Sequence, residues 1–524
     1  MTVRITCYGS VEEIGGNKIL LEDGDTRVLF DFGIAFGRLG QFFNEFLRPR
    51  PSRGLWDLLA LGLLPPLEGL YRSDLAWPGL WERVRHHPNY RDLRRPDRPA
   101  VDGVFVSHAH LDHVGDVSFL DPAIPVYTTR TSAFIARTMQ ITGLSSFDRE
   151  MVFINPRQPT ANGELQPGRN AGYQPRVHYF LDGPLSDAAR QVWNDPESRT
   201  RPLLPPTTGG APPAINACTL RWWPVDHSIP GAVGVAVKTS AGWIAYTGDI
   251  RFHGMRGEAT RGFARDLAAL QPTVLLCEGT HPDPGPPLTE ADVVSNALSL
   301  ARRAEGRLLV ADFGPRNIER LISFLRVAQR TGRTMVVQPK DIYLLQSIAL
   351  ADRSVFPDPA QVPQLALYAD PKSSPRGWEQ RLRHEWAART VTAADVSEQP
   401  GAYLLCFSLW DANDLLDLHG ISGGVYLYSS SRAYDDEQAA DLSRLRNWVD
   451  WMGLTLYGDP DDPKAIPLHA SGHATGEQLA AFVDTVRPRM LVPIHTEDPK
   501  WWQTQLAGSG IEVRLPRWGA GLEL

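Results

Sequence analysis

Cysteine is scarce in this chain. The four residues Cys7, Cys218, Cys277 and Cys406 are scattered through 524 positions and show no C-x-x-C spacing. That pattern excludes a disulfide framework and a cysteine zinc site, and it fits reduced thiols in apolar surroundings. Long apolar runs are missing too: no stretch reaches the roughly 18 residues that a membrane span needs. Met1-Thr2-Val3-Arg4 leads straight into the strand-like Ile5-Thr6-Cys7-Tyr8, which leaves no room for a secretory signal. The expectation is a cytoplasmic protein with no membrane partner. Nor is there an excess of positive charge, since 53 Lys and Arg face 60 Asp and Glu for a formal net charge of −7. Phosphate binding rests on Lys and Arg, so this balance weighs against a polyanionic partner. The objection is weakened by locally dense arginines at 83–98, 302–333 and 376–383, and by the cations that offset carboxylates in any metal site. Away from a partner, such dense stretches read as solvated helix faces. Apolar content is not deficient: 43% hydrophobic and 22% charged residues exclude general disorder. The length allows about two to four domains.

Histidine and carboxylate are present in a telling arrangement. His108-Ala109-His110-Leu111-Asp112-His113 places three imidazoles and a carboxylate in one short loop, just after the apolar run Val104-Phe105-Val106. Imidazole nitrogen with carboxylate oxygen suits zinc, and the oxygen ligands leave manganese open. One loop cannot supply ligands for two ions, so the others must come from elsewhere. Several apolar runs end as abruptly in a ligand-type residue: Val28-Leu29-Phe30 in Asp31, the run from Trp222 in Asp226-His227, Ile244-Ala245-Tyr246 in Gly248-Asp249, the run from Val274 in Glu278, and the run from Met490 in His495. Short apolar runs bounded by Gly, Pro and polar residues read as buried strands. Strand ends on a rigid sheet can bring ligands from distant sequence into one plane, as a two-metal hydrolytic site requires.

In the order Asp31, His108 to His113, His227, Asp249 and a late histidine, the chain resembles the metallo-β-lactamase superfamily. Within it the chain is similar to the β-CASP nucleases, and most similar to the RNase J group. Four stretches carry that resemblance: Gly9-Ser10-Val11-Glu12-Glu13-Ile14-Gly15-Gly16-Asn17, Asp226-His227-Ser228-Ile229-Pro230, Thr247-Gly248-Asp249-Ile250-Arg251-Phe252, and Ser471-Gly472-His473-Ala474. The resemblance implies an αββα sandwich with an inserted α/β domain. Residues 1–281 and 463–524 would form the sandwich, and 282–462 the insertion. The sequence pattern agrees, because helix at 289–304, strand at 307–311, helix at 316–330 and strand at 334–337 alternate as a parallel sheet does, with further strands at 402–407 and 424–428. A helix is expected over 475–486. Two regions depart from the RNase J pattern. Residues 36–100 form an insertion rich in Trp, Leu, Pro and Arg, which reads as a helix packed on the sandwich or as a lid over the substrate groove. Only 29 residues follow His495, so the extra C-terminal domain of many members is expected to be missing, with a monomer or homodimer as the expected state.

The resemblance also implies roles. His108, His110 and His227 would hold one metal, Asp112, His113 and His495 the other, and Asp249 would bridge. Asp31 would orient a ligand imidazole, Glu278 would act similarly, and His473 would contact the scissile phosphate or protonate the leaving oxygen. Glu278, His473 and His495 fall on the acidic residue and two histidines that mark β-CASP members. Phosphate contacts are expected from Ser471 and His469, and from Asn317 and Ser430 in loops that follow strands, where simple N-caps are the plainer reading. His253 and His281 lie near the presumed site without a spacing that makes them ligands. A hydroxide activated by two metals would then hydrolyse single-stranded RNA, because a histidine at the last ligand position goes with RNA-acting members. The alternatives are a DNA exonuclease or repair nuclease of the same class, and a hydrolase of lactones or thioesters.

Overall fold

The computed structural model describes residues 2–168, 172–198, 201–205, 219–280, 285–433 and 436–524, so Cys218 and His281 lie outside the described residues. Strand Thr26–Phe30 shows how the layers arise. Its side chains alternate, so Val28 and Phe30 pack into a core shared with Val235, Val237, Tyr246 and Leu276 of a second sheet. Leu29 belongs to the opposite face, in a cluster with Val104 and Phe134. The first sheet runs in the order His178–Phe180, Val126–Thr128, Gly103–Phe105, Thr26–Phe30, Ile19–Asp23, Val3–Cys7, Gly521–Glu523. The second runs Leu220–Pro224, Val233–Thr239, Gly242–Tyr246, Val274–Glu278, Met490–Ile494, Glu512–Val513. Phe30 and Tyr246 bring their ring centroids to 5.3 Å between the sheets. Truncating such a buried ring costs roughly 3–5 kcal/mol. Helices Gly257–Leu270 and Gly476–Val486 cover the second sheet through Phe263, Leu267, Leu479 and Phe482. Helix Arg130–Thr142 covers the first through Ala133 and Phe134. The result is an αββα sandwich.

A third sheet is entirely parallel, in the order Thr390–Val391, Leu365–Tyr368, Thr334–Val337, Tyr403–Leu405, Leu309–Asp312, Val425–Tyr428, Thr455–Tyr457. Its helices follow the sequence signals closely. The helix expected over 289–304 is Glu290–Arg303, capped by Thr289 in a capping box with Asp292. The one expected over 316–330 begins two residues later, at Ile318, because the Asn317 side chain accepts from Arg320 N and sets the cap. The helix expected over 475–486 is Gly476–Val486, with Thr475 as its cap.

After this sheet the chain returns to the sandwich. Met490–Ile494 lies parallel to Val274–Glu278, with Glu278 opposite Ile494, so the third sheet is threaded between two neighbouring strands of the second. A buried ion cluster ties the two parts together. Arg251 pairs with Asp226 at 3.2 Å and Glu319 at 2.6 Å, and donates to Ser471 O at 3.0 Å. Arg320 pairs with Glu290 at 3.0 Å and donates to Ala470 O at 3.1 Å and Leu468 O at 3.2 Å. Buried pairs of this kind are costly to break singly, about 3–5 kcal/mol. They fix the stretch 468–471, which leads into His473. In the insertion at 36–100, the apolar stretch forms only the short helix Trp56–Ala60 before a turn at Gly62, whose φ of 67° no β-branched residue adopts easily. Its leucines, Leu58, Leu59, Leu63 and Leu64, are buried in the core under the first sheet. No helix among the described residues is long and apolar enough to cross a membrane.

Candidate metal centre

The ligand-type residues sit where strands stop. Asp31 follows Phe30, and His495 follows Ile494; both adopt left-handed backbone, with φ of 54° and 51°. Such conformations cost non-glycine residues about 1–3 kcal/mol and persist where the surroundings fix them. Here they turn the side chains back towards the loop His108 to His113. That loop is itself backed closely: a Cβ on Gly33 would lie 1.8 Å from Asp112 O, and one on Gly15, at φ +79°, 2.7 Å from the Asp112 Cβ. Gly15 of the first stretch and Gly33 after Asp31 thus let two segments press on Asp112.

All seven residues expected as metal ligands converge. His110 Nδ1 lies 3.1 Å from both His108 Nε2 and His227 Nε2. Asp249 Oδ2 lies 3.6 Å from His108 Nε2 and 3.7 Å from His227 Nε2. The same oxygen is 3.1 Å from His113 Nε2 and 3.8 Å from His495 Nε2. Asp112 Oδ2 is 3.3 Å from His495 Nε2 and 3.7 Å from His113 Nε2. The donors fall into three overlapping groups: His108, His110, His227 and Asp249; Asp112, His113 and His495; and Asp249, Glu278, His473 and His495. Asp249 Oδ2 joins the first two through its approaches to His113 and His495. Burial lowers the pKa of His108 and His227 and takes His110 down to about 4, so neutral imidazoles point their lone pairs at one another. Among the described residues buried Asp249 Oδ1 has no hydrogen-bond partner, and His113 Nε2 has only the ion-pair approach of Asp249 Oδ2. Convergent lone pairs and an orphaned buried oxygen are a poor arrangement for protein alone, and a good one for two divalent cations; the N and O donor set suits zinc.

A second layer orients the donors. Asp31 Oδ2 is 2.7 Å from His113 Nδ1, and Asp31 also accepts from Ser107 N at 2.6 Å, Ser107 Oγ at 2.7 Å and the Tyr246 hydroxyl. Asn17 Nδ2 donates to that hydroxyl at 2.8 Å. His227 Nδ1 is 2.6 Å from Gly472 O, and His495 Nδ1 is 2.8 Å from Thr280 Oγ1. Such partners fix which ring nitrogen faces a metal. Thr280 Oγ1 donates to Glu278 Oε2 at 2.8 Å, and Glu278 also accepts from Ile250 N. His473 Nδ1 lies 2.9 Å from Glu278 Oε2. Burial opposes an imidazolium there, but the Glu278 and Asp249 carboxylates outweigh it and raise the His473 pKa to about 9. Burial would likewise raise the Asp112 and Asp249 carboxyls; the charge of His113, with His495 beside it, reverses this and holds both low.

His110 and His473 open into a cavity of about 220 Å³ whose far wall is formed by loops that follow strands of the inserted sheet, with Arg316, Asn317 and Ser430, and by His469 of the returning chain. Asn317 and Ser430 thus reach the cleft, although Asn317 Oδ1 also serves as the helix cap. The His469 pKa is lowered to about 4 by burial, and its Nδ1 lies 3.2 Å from Ser429 O. Ser471 does not line this cavity; its Oγ accepts from His473 N at 3.1 Å and its carbonyl from Arg251. His253 Nε2 is 3.0 Å from that same carbonyl, outside the ligand groups. A larger cavity, about 330 Å³, lies against Tyr343 and Trp378 and shares no lining residue with the metal centre. Sequence reasoning missed Ser107, Tyr246, Thr280 and Arg316. Ser107, Thr280 and Arg316 adjoin singled-out residues, whereas Tyr246 reads only as the apolar end of a strand.

Residues 465–516 match the family model described as a Zn-dependent metallo-hydrolase RNA specificity domain (RMMBL). Ribonuclease J of Mycobacterium tuberculosis (strain H37Rv) is 25% identical over 521 residues, which cover 94% of this chain and 68% of that protein. Ribonuclease J of Thermus thermophilus is 22% identical over 519 residues, with the same two shares. The chain is thus similar to ribonuclease J proteins over most of its length. The RMMBL match contains His469, Ser471, His473 and His495. A solved protein of unknown function from Enterococcus faecalis superimposes with a TM-score of 0.65 at 21% identity, covering 100% of both chains. That likeness concerns the fold, the sandwich with its inserted α/β sheet.

Proposed function

We propose that this chain is a metal-dependent ribonuclease that hydrolyses phosphodiester bonds of single-stranded RNA, and that residues 1–281 with 463–524 form the metallo-β-lactamase domain around an inserted β-CASP domain, 282–462. The observation that carries the reading is the double donor group joined at Asp249, opening with His473 into a cleft walled by the inserted sheet. A small-molecule hydrolase has no use for that wall. The names of the ribonuclease J relatives and of the RMMBL family support RNA over DNA.

In this reading His108, His110 and His227 would hold one cation and Asp112, His113 and His495 the other, with Asp249 between. Two divalent cations, zinc by ligand type, supply Lewis acidity towards phosphoryl oxygens and lower the pKa of a water. Asp31 holds the His113 ring through Nδ1, and Gly472 O and Thr280 do the same for His227 and His495. His473 keeps a proton through its Glu278 partner and delivers it from Nε2 to the leaving oxygen, as general acids near a phosphodiester do. Ser430, Asn317 and His469 offer polar atoms to the strand, and Ser471 acts through His473. Cys7 and Cys277, buried and unpaired, fit the cytoplasm, and a monomer or homodimer completes the proposal.

The test is cleavage of matched single-stranded RNA and DNA oligonucleotides, labelled at either end, by zinc- or manganese-loaded protein with His110→Ala as control. Loss of RNA by wild type alone is the expected result. Cleavage of DNA as well as or better than RNA would overturn the RNA assignment.

A further inference from the structure

Arg316 and Arg320 flank the start of helix Ile318–Arg330, and their surroundings are opposite. Arg320 is fully buried and saturated by Glu290, Ser429 and two backbone carbonyls. Arg316 is half-buried, and its side chain makes no hydrogen bond or ion pair among the described residues; its Nε is buried without a partner. A buried donor left unmatched is unfavourable unless a ligand brings the acceptor. A guanidinium is a planar fork whose shape matches a phosphate, and it stays charged at any working pH.

Position supports the same conclusion. Arg316 lines the cleft with His110, Ser228, Ser430, His469 and His473, and its charge reaches His110 and Asp112. The cavity runs from His110 and His473 at the metal centre to Ser430, which follows a strand of the inserted sheet, and His469 of the returning chain. A strand with its scissile phosphate at His473 therefore passes its next phosphate beside Arg316. A chain of net charge −7 needs a local cation on that path. Resting on the phosphodiesterase reading, we propose that Arg316 is a substrate-binding residue whose guanidinium clamps the phosphate next to the scissile one, on the side of Ser430 and His469.

Wild type, R316A and R316K are compared in metal-loaded cleavage of a single-stranded RNA and, after chelation, in fluorescence anisotropy with 2′-O-methyl oligonucleotides carrying one uncharged methylphosphonate linkage at successive positions. R316A is expected to weaken binding about 10- to 100-fold and to raise KM, with kcat within about threefold, while R316K recovers part of the loss. The uncharged linkage adjoining the scissile position should weaken wild type and leave R316A unchanged, as in a double-mutant cycle between contacting groups. Binding and cleavage by R316A equal to wild type overturns the clamp, and so do fully additive losses or a loss confined to kcat. Wild type that cleaves neither RNA nor DNA overturns the nuclease reading itself, whatever the variants do.

Discussion

Asp249 and Asp312 both stand at the carboxyl ends of parallel strands, both are buried, and they are held in opposite states. Asp249 is kept well below the usual carboxylate range: burial works to raise it, and His113, His495 and His473 outweigh burial. Asp312 is raised to about 7 by burial, with only the Tyr426 hydroxyl, at 2.7 Å, and a backbone group to favour its charge. Asp341, in the first turn of helix Pro339–Ala351 after strand Thr334–Val337 of the same sheet, is likewise raised to about 7 by burial. Removal from water is common to all three, so charge is decided by the partners. The carboxyl end of the second sheet keeps its carboxylate charged among imidazoles, whereas that of the third holds two carboxyls that burial favours as neutral.

Removing a donor from the first of these ends should break this contrast most severely. His110→Ala is expected to lose metal and activity together, with bound metal measured by mass spectrometry and turnover with labelled RNA; retained stoichiometry would remove His110 from the ligands. His473→Ala leaves the donors intact and should lower kcat by about 10²- to 10⁴-fold with both metals still bound. Normal turnover would end its role as acid. Asp31→Asn keeps the shape but weakens the hold on His113, and metal affinity measured by chelator competition should fall about 10- to 100-fold. The smallest effect belongs to the other end. A carboxyl raised in the folded state binds a proton that the unfolded chain has released, so it lowers stability as pH rises from 3.8 towards about 7. Asp312→Asn should therefore raise Tm by a few degrees at pH 8, and by less at pH 5. A gain of equal size at both pH values would show that Asp312 is not held neutral.

The convergence of the proposed metal donors was legible because each of them, or the loop that holds it, follows an apolar run, and strand ends are readable from sequence alone. The two helix starts at Asn317 and Thr475 could be read to within two residues from their capping residues. Tyr246 was hidden, since an aromatic at the end of an apolar run reads as core; it is core, yet its hydroxyl also reaches Asp31. The unpartnered state of Arg316 depends on what does not surround it, which no local pattern encodes. The stretch 54–64 looked like one helix by composition, but the turn at Gly62 ends it after Ala60. Ser471 read as a phosphate contact from its place beside His473, whereas its backbone anchors Arg251 and its hydroxyl caps the loop.

The parallel pairing of Val274–Glu278 with Met490–Ile494 has a consequence in time. Asp112 and His495, 3.3 Å apart in the folded chain, are separated by 383 residues along it. At ribosomal speeds of about 5–20 residues per second, His495 is made roughly 20 to 80 s after Asp112. Until then the nascent chain has six of the seven strands of its first sheet, wanting Gly521–Glu523, and still lacks the donor that completes the second group. A hydrolase directed at RNA thus stays without a finished centre while its own message is being read, and gains one only as synthesis nears the end of the sandwich.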